Sequence, residues 1–111
     1  IVEYKEYLII EDKRDAGRDI LIRMEQVTPF SDYTEHKTLS ESEVLKLGAD
    51  ICSALEECEI RGVVHRNIKP EHIYIGGDGT YKLGDFGNAK RIDGTIGGSL
   101  AADIDDYAAP E

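Results

Sequence analysis

No stretch of this 111-residue sequence approaches the roughly 20 consecutive apolar residues that a bilayer-spanning helix requires. Charges interrupt Ile1 to Arg14 throughout, so neither a signal peptide nor a membrane anchor is expected. Basic residues are scarce. Against 23 aspartates and glutamates stand only 13 lysines and arginines, a net charge of -10 that repels duplex nucleic acid and anionic membranes and excludes them as the main partner. There are two cysteines, Cys52 and Cys58, six apart in a helical pattern. That spacing points them in different directions and rules out a bridge within the helix, so core thiols in a reducing, cytoplasmic setting are expected. Internal repeats and low-complexity tracts are also missing. What remains, 41% hydrophobic and 32% charged residues, suits one soluble globular unit.

The chain opens with Ile1 to Ile10, rich in β-branched and aromatic residues. Asp15-Ala16-Gly17-Arg18 then supplies turn chemistry, and Ile20-Leu21-Ile22-Arg23-Met24 follows as a second strand, which predicts an antiparallel pair. Thr28 to Thr38 is polar and has room for one short helix. Ser40-Glu41-Ser42-Glu43 is a capping box, with Leu39 and Val44 placed for a hydrophobic staple. From there Val44, Gly48, Ile51, Leu55 and Cys58 recur at helical spacing, predicting a buried stripe on a helix that stops at Gly62. Val63-Val64-His65, Ile73-Tyr74-Ile75 and Tyr81-Lys82-Leu83 read as short strands. Gly76-Gly77-Asp78-Gly79 forms a turn between the last two. Residues 88 to 108 show no periodicity and read as a loop.

Three motifs follow the helix in order: His65-Arg66-Asn67-Ile68-Lys69-Pro70-Glu71-His72, Asp85-Phe86-Gly87 and Ala109-Pro110-Glu111. A lone Asp-Phe-Gly is weak, but this order and spacing resemble the catalytic loop, magnesium-binding triplet and closing activation-segment motif of protein kinases. Upstream, Ile22-Arg23-Met24-Glu25-Gln26-Val27 resembles the fifth strand and hinge. The resemblance implies a partial α+β kinase-like fold: residues 1–27 as the last N-lobe strands and hinge, and 28–111 as the C-lobe through the activation segment. No glycine-rich loop and no strand with the phosphate-anchoring lysine is found in residues 1–111. Helix faces and strand edges that a full domain covers are therefore expected to be exposed.

Roles follow from the resemblance. Met24 is the gatekeeper, while the carbonyl of Glu25 and the backbone of Val27 meet the adenine of ATP. Tyr74 falls where the family usually places a leucine under the base, and Gly84 leaves room beside it. Asp85 offers a hard oxygen to Mg2+, and Lys69 neutralises the transferring phosphoryl group in the manner of serine/threonine kinases. Arg66 pairs with a phosphorylated Thr95 or Ser99. His65 and Phe86 pack within the family's internal spine, with Gly87 completing the triplet.

Three positions depart from the pattern. Asn67 stands where the family carries the catalytic aspartate, and its neutral amide orients a hydroxyl but takes no proton. His72 stands in place of the asparagine that holds the second magnesium, offering nitrogen where that ion prefers oxygen. Ile104 replaces the threonine that braces the catalytic residues. Two readings result: an ATP-dependent serine/threonine kinase with impaired phosphoryl transfer to a protein substrate, or a non-catalytic pseudokinase acting as a scaffold or allosteric binding module for a protein partner.

Overall fold

The computed structural model describes residues 1–11, 17–92 and 107. Strands β1 (Tyr4–Glu11) and β2 (Arg18–Met24) form the antiparallel pair expected from their β-branched and aromatic content, with Tyr4 opposite Met24 and Glu11 opposite Arg18. Every residue of both strands is exposed, including Tyr7, Leu8, Ile9, Ile20, Leu21 and Ile22. Among the described residues the ribbon thus has two apolar faces without cover.

The chain then runs through β3 (Val27–Pro29) into a short helix, α1 (Phe30–Thr34). The helix lies in the polar segment with room for one, whereas the strand before it was not expected. Strand β3 pairs antiparallel with β5 (Ile73–Gly76), which pairs in turn with β6 (Tyr81–Leu83). Between β5 and β6 lies the expected glycine turn. Gly79 has φ 76°, its N–H donates to the Gly76 carbonyl, and Asp78 Oδ1 accepts from Thr80 N.

Helix α2 (Glu41–Ile60) is held at its start by the capping box, in which Glu43 N donates to Ser40 Oγ at 3.3 Å and Ser40 N to Glu43 Oε2 at 2.9 Å. Lys37 also donates to Glu43 and, with the Ser40 donors, holds the Glu43 carboxyl down to about 2. At its end, Gly62 adopts the left-handed conformation at φ 64° and donates to the Glu59 carbonyl.

The expected stripe holds in its second half only. Ile51 and Leu55 are half-buried and Cys58 is buried, whereas Val44 is 51% exposed and Gly48 is exposed; Leu47 and Ala54, outside the stripe, turn inward instead, with Leu47 and Ile51 packing toward Ile73, Ile75 and Tyr81. Strands β5 and β6 fix which side of the helix is covered. The cysteine expectation is corrected in the same way: both thiols are free, but Cys52 is exposed and only Cys58 lies in the core.

After Gly62, β4 (Val63–Val64) pairs with β7 (Lys90–Arg91), so the segment read as a loop from residue 88 begins with a strand. Two 3₁₀ turns, Pro70–His72 and Phe86–Asn88, carry the first two sequence motifs toward the end of the β5–β6 sheet.

Candidate active site

The site is built where the segment after β4 meets the end of β6. His65 is 2% exposed. Its Nε2 lies 2.9 Å from the Gly84 carbonyl, and its Nδ1 accepts the Asn67 N–H at 3.3 Å. Because Nε2 faces a carbonyl it must donate, leaving Nδ1 as acceptor, which is the neutral ring. Burial, only partly offset by the Gly84 hydrogen bond, lowers the His65 pKa and keeps the ring uncharged. Phe86 meets the same ring edge to face at 4.7 Å. His65 and Phe86 therefore pack against each other.

Next to His65 the backbone turns sharply. Arg66 has φ 64°, a left-handed conformation that costs a non-glycine residue about 1–2 kcal/mol. Its side chain reaches across to donate from Nε to the Asn88 carbonyl at 2.8 Å, tying the loop to the turn after the triplet. That turn directs the Asn67 carbonyl at His72, whose Nδ1 lies 2.8 Å away. On the other side of the imidazole, Nε2 is 2.9 Å from Asp85 Oδ2. Asp85 is itself left-handed at φ 55°, and its Oδ1 accepts the Gly87 N–H at 3.2 Å. Asn67 and His72 from the first motif and Asp85 from the second are thus joined in one line of polar contacts. Lys69 precedes the Pro70–His72 turn in extended conformation, and its carbonyl accepts the His72 N–H at 3.0 Å.

Glu25, expected from the resemblance to be a hinge residue, is held by contacts that sequence reasoning missed. The Glu25 carboxylate accepts from Lys82 Nζ at 2.6 Å and from Glu3 N at 2.7 Å, and Glu25 N donates to the Glu3 carbonyl. The Lys82 hydrogen bond, then that of Glu3, lowers the Glu25 pKa, and Glu25 in turn raises that of Lys82. Lys82 carries no motif signal. It is the middle residue of β6, and its partner lies 57 positions upstream. Met24 closes β2 at 38% exposure, and Val27 lies opposite Gly76.

Tyr74 packs directly against Gly84: a Cβ at position 84 would lie 2.7 Å from Tyr74 Cε2 and 3.2 Å from Val2 Cγ2. Gly84→Ala should accordingly destabilise the protein by about 1–3 kcal/mol, the usual range for overpacking. Adding Tyr74→Leu should recover most of that loss in urea unfolding, a coupling absent if the two positions do not touch. Of the other expected site residues, Thr95, Ser99, Ile104, Ala109, Pro110 and Glu111 lie outside the described residues.

The protein kinase domain family matches residues 1–111. The chain belongs to the protein kinase family. Its relatives include the CBL-interacting protein kinase 4 of rice, Oryza sativa subsp. japonica, 34% identical over 95% of this chain and 22% of the relative. The rice Wee1-like protein kinase is 36% identical over 72% of this chain and 15% of its own length. A probable serine/threonine-protein kinase, nek3 of Dictyostelium discoideum, is 35% identical over 86% of this chain and 8% of its own. The chain thus spans about a fifth or less of each of these kinases. No described helix of this kinase-family chain is long and apolar enough to cross a membrane.

Proposed function

We propose that this chain carries the hinge, catalytic loop and metal-binding triplet of a serine/threonine-protein-kinase-like domain that binds ATP, and that phosphoryl transfer to protein hydroxyls is impaired in it. In this reading residues 1–27 belong to the N-lobe and hinge and residues 28–111 to the C-lobe, in a cytoplasmic protein. The observation that carries the reading is the line from the Asn67 carbonyl through His72 to Asp85. It brings the catalytic-loop residue, the metal-ligand position and the triplet acid to one place, with an amide where a proton acceptor would be needed.

The chemistry of the donor set fits one hard divalent ion. The Asp85 side chain is 49% exposed and presents carboxylate oxygen, the donor that Mg2+ prefers. His72 does not fit as an oxygen donor for a second. Asp85 would hold Mg2+, which when bound would supply positive charge to neutralise nucleotide phosphates. Lys69 would add positive charge there, while the Asn67 amide would orient an incoming hydroxyl without removing its proton. The alternative, a non-catalytic pseudokinase scaffold or allosteric binding module for a protein partner, is favoured by the same His72 contact, since it occupies the triplet acid.

Thermal unfolding of the full-length protein tests the reading. Mg-ATP at about 100 times its Kd should add about 2.7 kcal/mol of stability and a saturable rise in Tm. Transfer to a generic protein substrate should stay well below the ~1–100 s⁻¹ of ordinary kinases. Turnover within that range refutes the impairment. No ligand-dependent rise in Tm refutes ATP binding.

A further inference from the structure

We propose that His72 is a fixed crosspiece standing where a second metal ion would otherwise be held, so that the protein takes nucleotide with a single divalent ion, at Asp85; the ion count rests on the nucleotide-binding reading above, but the crosspiece does not. His72 bridges two segments. Its Nδ1 faces the Asn67 carbonyl at 2.8 Å and can only donate there, and Nε2 lies 2.9 Å from Asp85 Oδ2. The remaining ring nitrogen is engaged with Asp85 and is open to a metal only if that contact is broken.

Nor can the ring readily turn aside. Its side chain is 11% exposed, and it sits at the end of the Pro70–His72 turn, whose closing N–H is bonded to Lys69. The other end of the crosspiece is also fixed, because Asp85 Oδ1 caps the following turn through Gly87 N. Asp85 has an open side nonetheless, with half its side chain exposed, so one ion can reach it without displacing the imidazole. A second ion needs a further hard oxygen from the catalytic loop, and position 72 supplies nitrogen already committed. His72 is on this account a positioning residue: it holds the triplet acid against the catalytic loop in the way a shared ion would.

Two measurements on the full-length protein separate the parts of the proposal. In the nucleotide-free protein, His72→Asn should free Asp85 and speed hydrogen exchange at the Gly87 amide by roughly tenfold. In the presence of a β,γ-imido analogue of ATP, Mn2+ counted by electron paramagnetic resonance should be one per complex for the unchanged protein and two for His72→Asn. Should His72→Asn fail to fold, His72→Gln, which also presents an amide oxygen, is expected to give both changes. Unaltered Gly87 exchange overturns the crosspiece. Two Mn2+ in the unchanged protein, or one in the variant, overturns the exclusion of the second ion. Faster Gly87 exchange with no analogue binding at all leaves the crosspiece standing and removes the nucleotide reading together with the ion count.

Discussion

Asn67→Asp should raise the phosphoryl-transfer rate of the full-length protein by about 10²- to 10⁴-fold, the usual worth of a positioned general base. The substitution is nearly isosteric, and the contacts that locate residue 67 are made by its backbone: the N–H to His65 Nδ1 and the carbonyl to His72 Nδ1. Neither depends on the side chain, so the new carboxylate would enter a loop already held in place. Arg66 fixes the approach to it through its left-handed turn and its bond to the Asn88 carbonyl. Stability should therefore change little while rate changes a great deal, a combination that single-turnover kinetics and thermal unfolding together would register. The recovery should be larger when His72→Asn is added, because Asp85 is then released from the imidazole. Should neither variant recover activity while Mg-ATP still raises Tm, the non-catalytic reading displaces the impaired enzyme.

Features encoded locally were readable from the sequence. Ser40 and Glu43 announce the start of α2 because a capping box needs only four residues, and Gly62 announces its end because few other residues accept φ 64°. The turn at Gly76–Gly79 and the β1–β2 pair were legible for the same reason. What the sequence concealed was set by partners far along the chain. Val44 and Gly48 lie in helical register with Ile51, yet α2 turns Leu47, Ile51, Ala54 and Cys58 inward because β5 and β6 lie on that side. Alanine at 54 carries too little apolar surface to signal its burial. Strand β3 has three residues, one of them Pro29, and exists only because β5 offers it an edge.

The site divides along the same line. The resemblance, together with residue type, implied that Asn67 lacks a base and that His72 is a poor magnesium ligand. That His72 joins the Asn67 carbonyl to Asp85 was not readable, since the contact depends on how the Pro70–His72 turn is set against the end of β6. Glu25 was read as a hinge residue on its backbone alone. Its carboxylate carries as much of the structure, as the second large effect makes plain.

Lys82→Met should cost about 2–4 kcal/mol of stability at neutral pH. The Glu25 and Lys82 side chains are only 16% and 20% exposed, and removing the ammonium leaves a largely enclosed carboxylate with Glu3 N as its remaining donor among the described residues. Replacing both partners by apolar residues, as in Glu25→Leu with Lys82→Met, should cost less than the single change, because no charge is then left enclosed. The pH dependence follows from the two shifts. Glu25 titrates below its ordinary 4.5 when folded, so its contribution is present above that pH and is lost as pH falls through the lowered folded value. Lys82 titrates above its ordinary 10.5, so its contribution is complete below that pH and fades only as pH rises through the raised folded value. Between the two limits the pair's stabilisation should be level. The gap between the unchanged protein and Lys82→Met in urea unfolding should therefore hold steady across neutral pH and narrow as the solution becomes more acidic than 4.5. A gap of constant size down to full protonation of Glu25 would mean that Lys82 stabilises β6 through the packing of its aliphatic stem, and that Glu25 is not secured by charge.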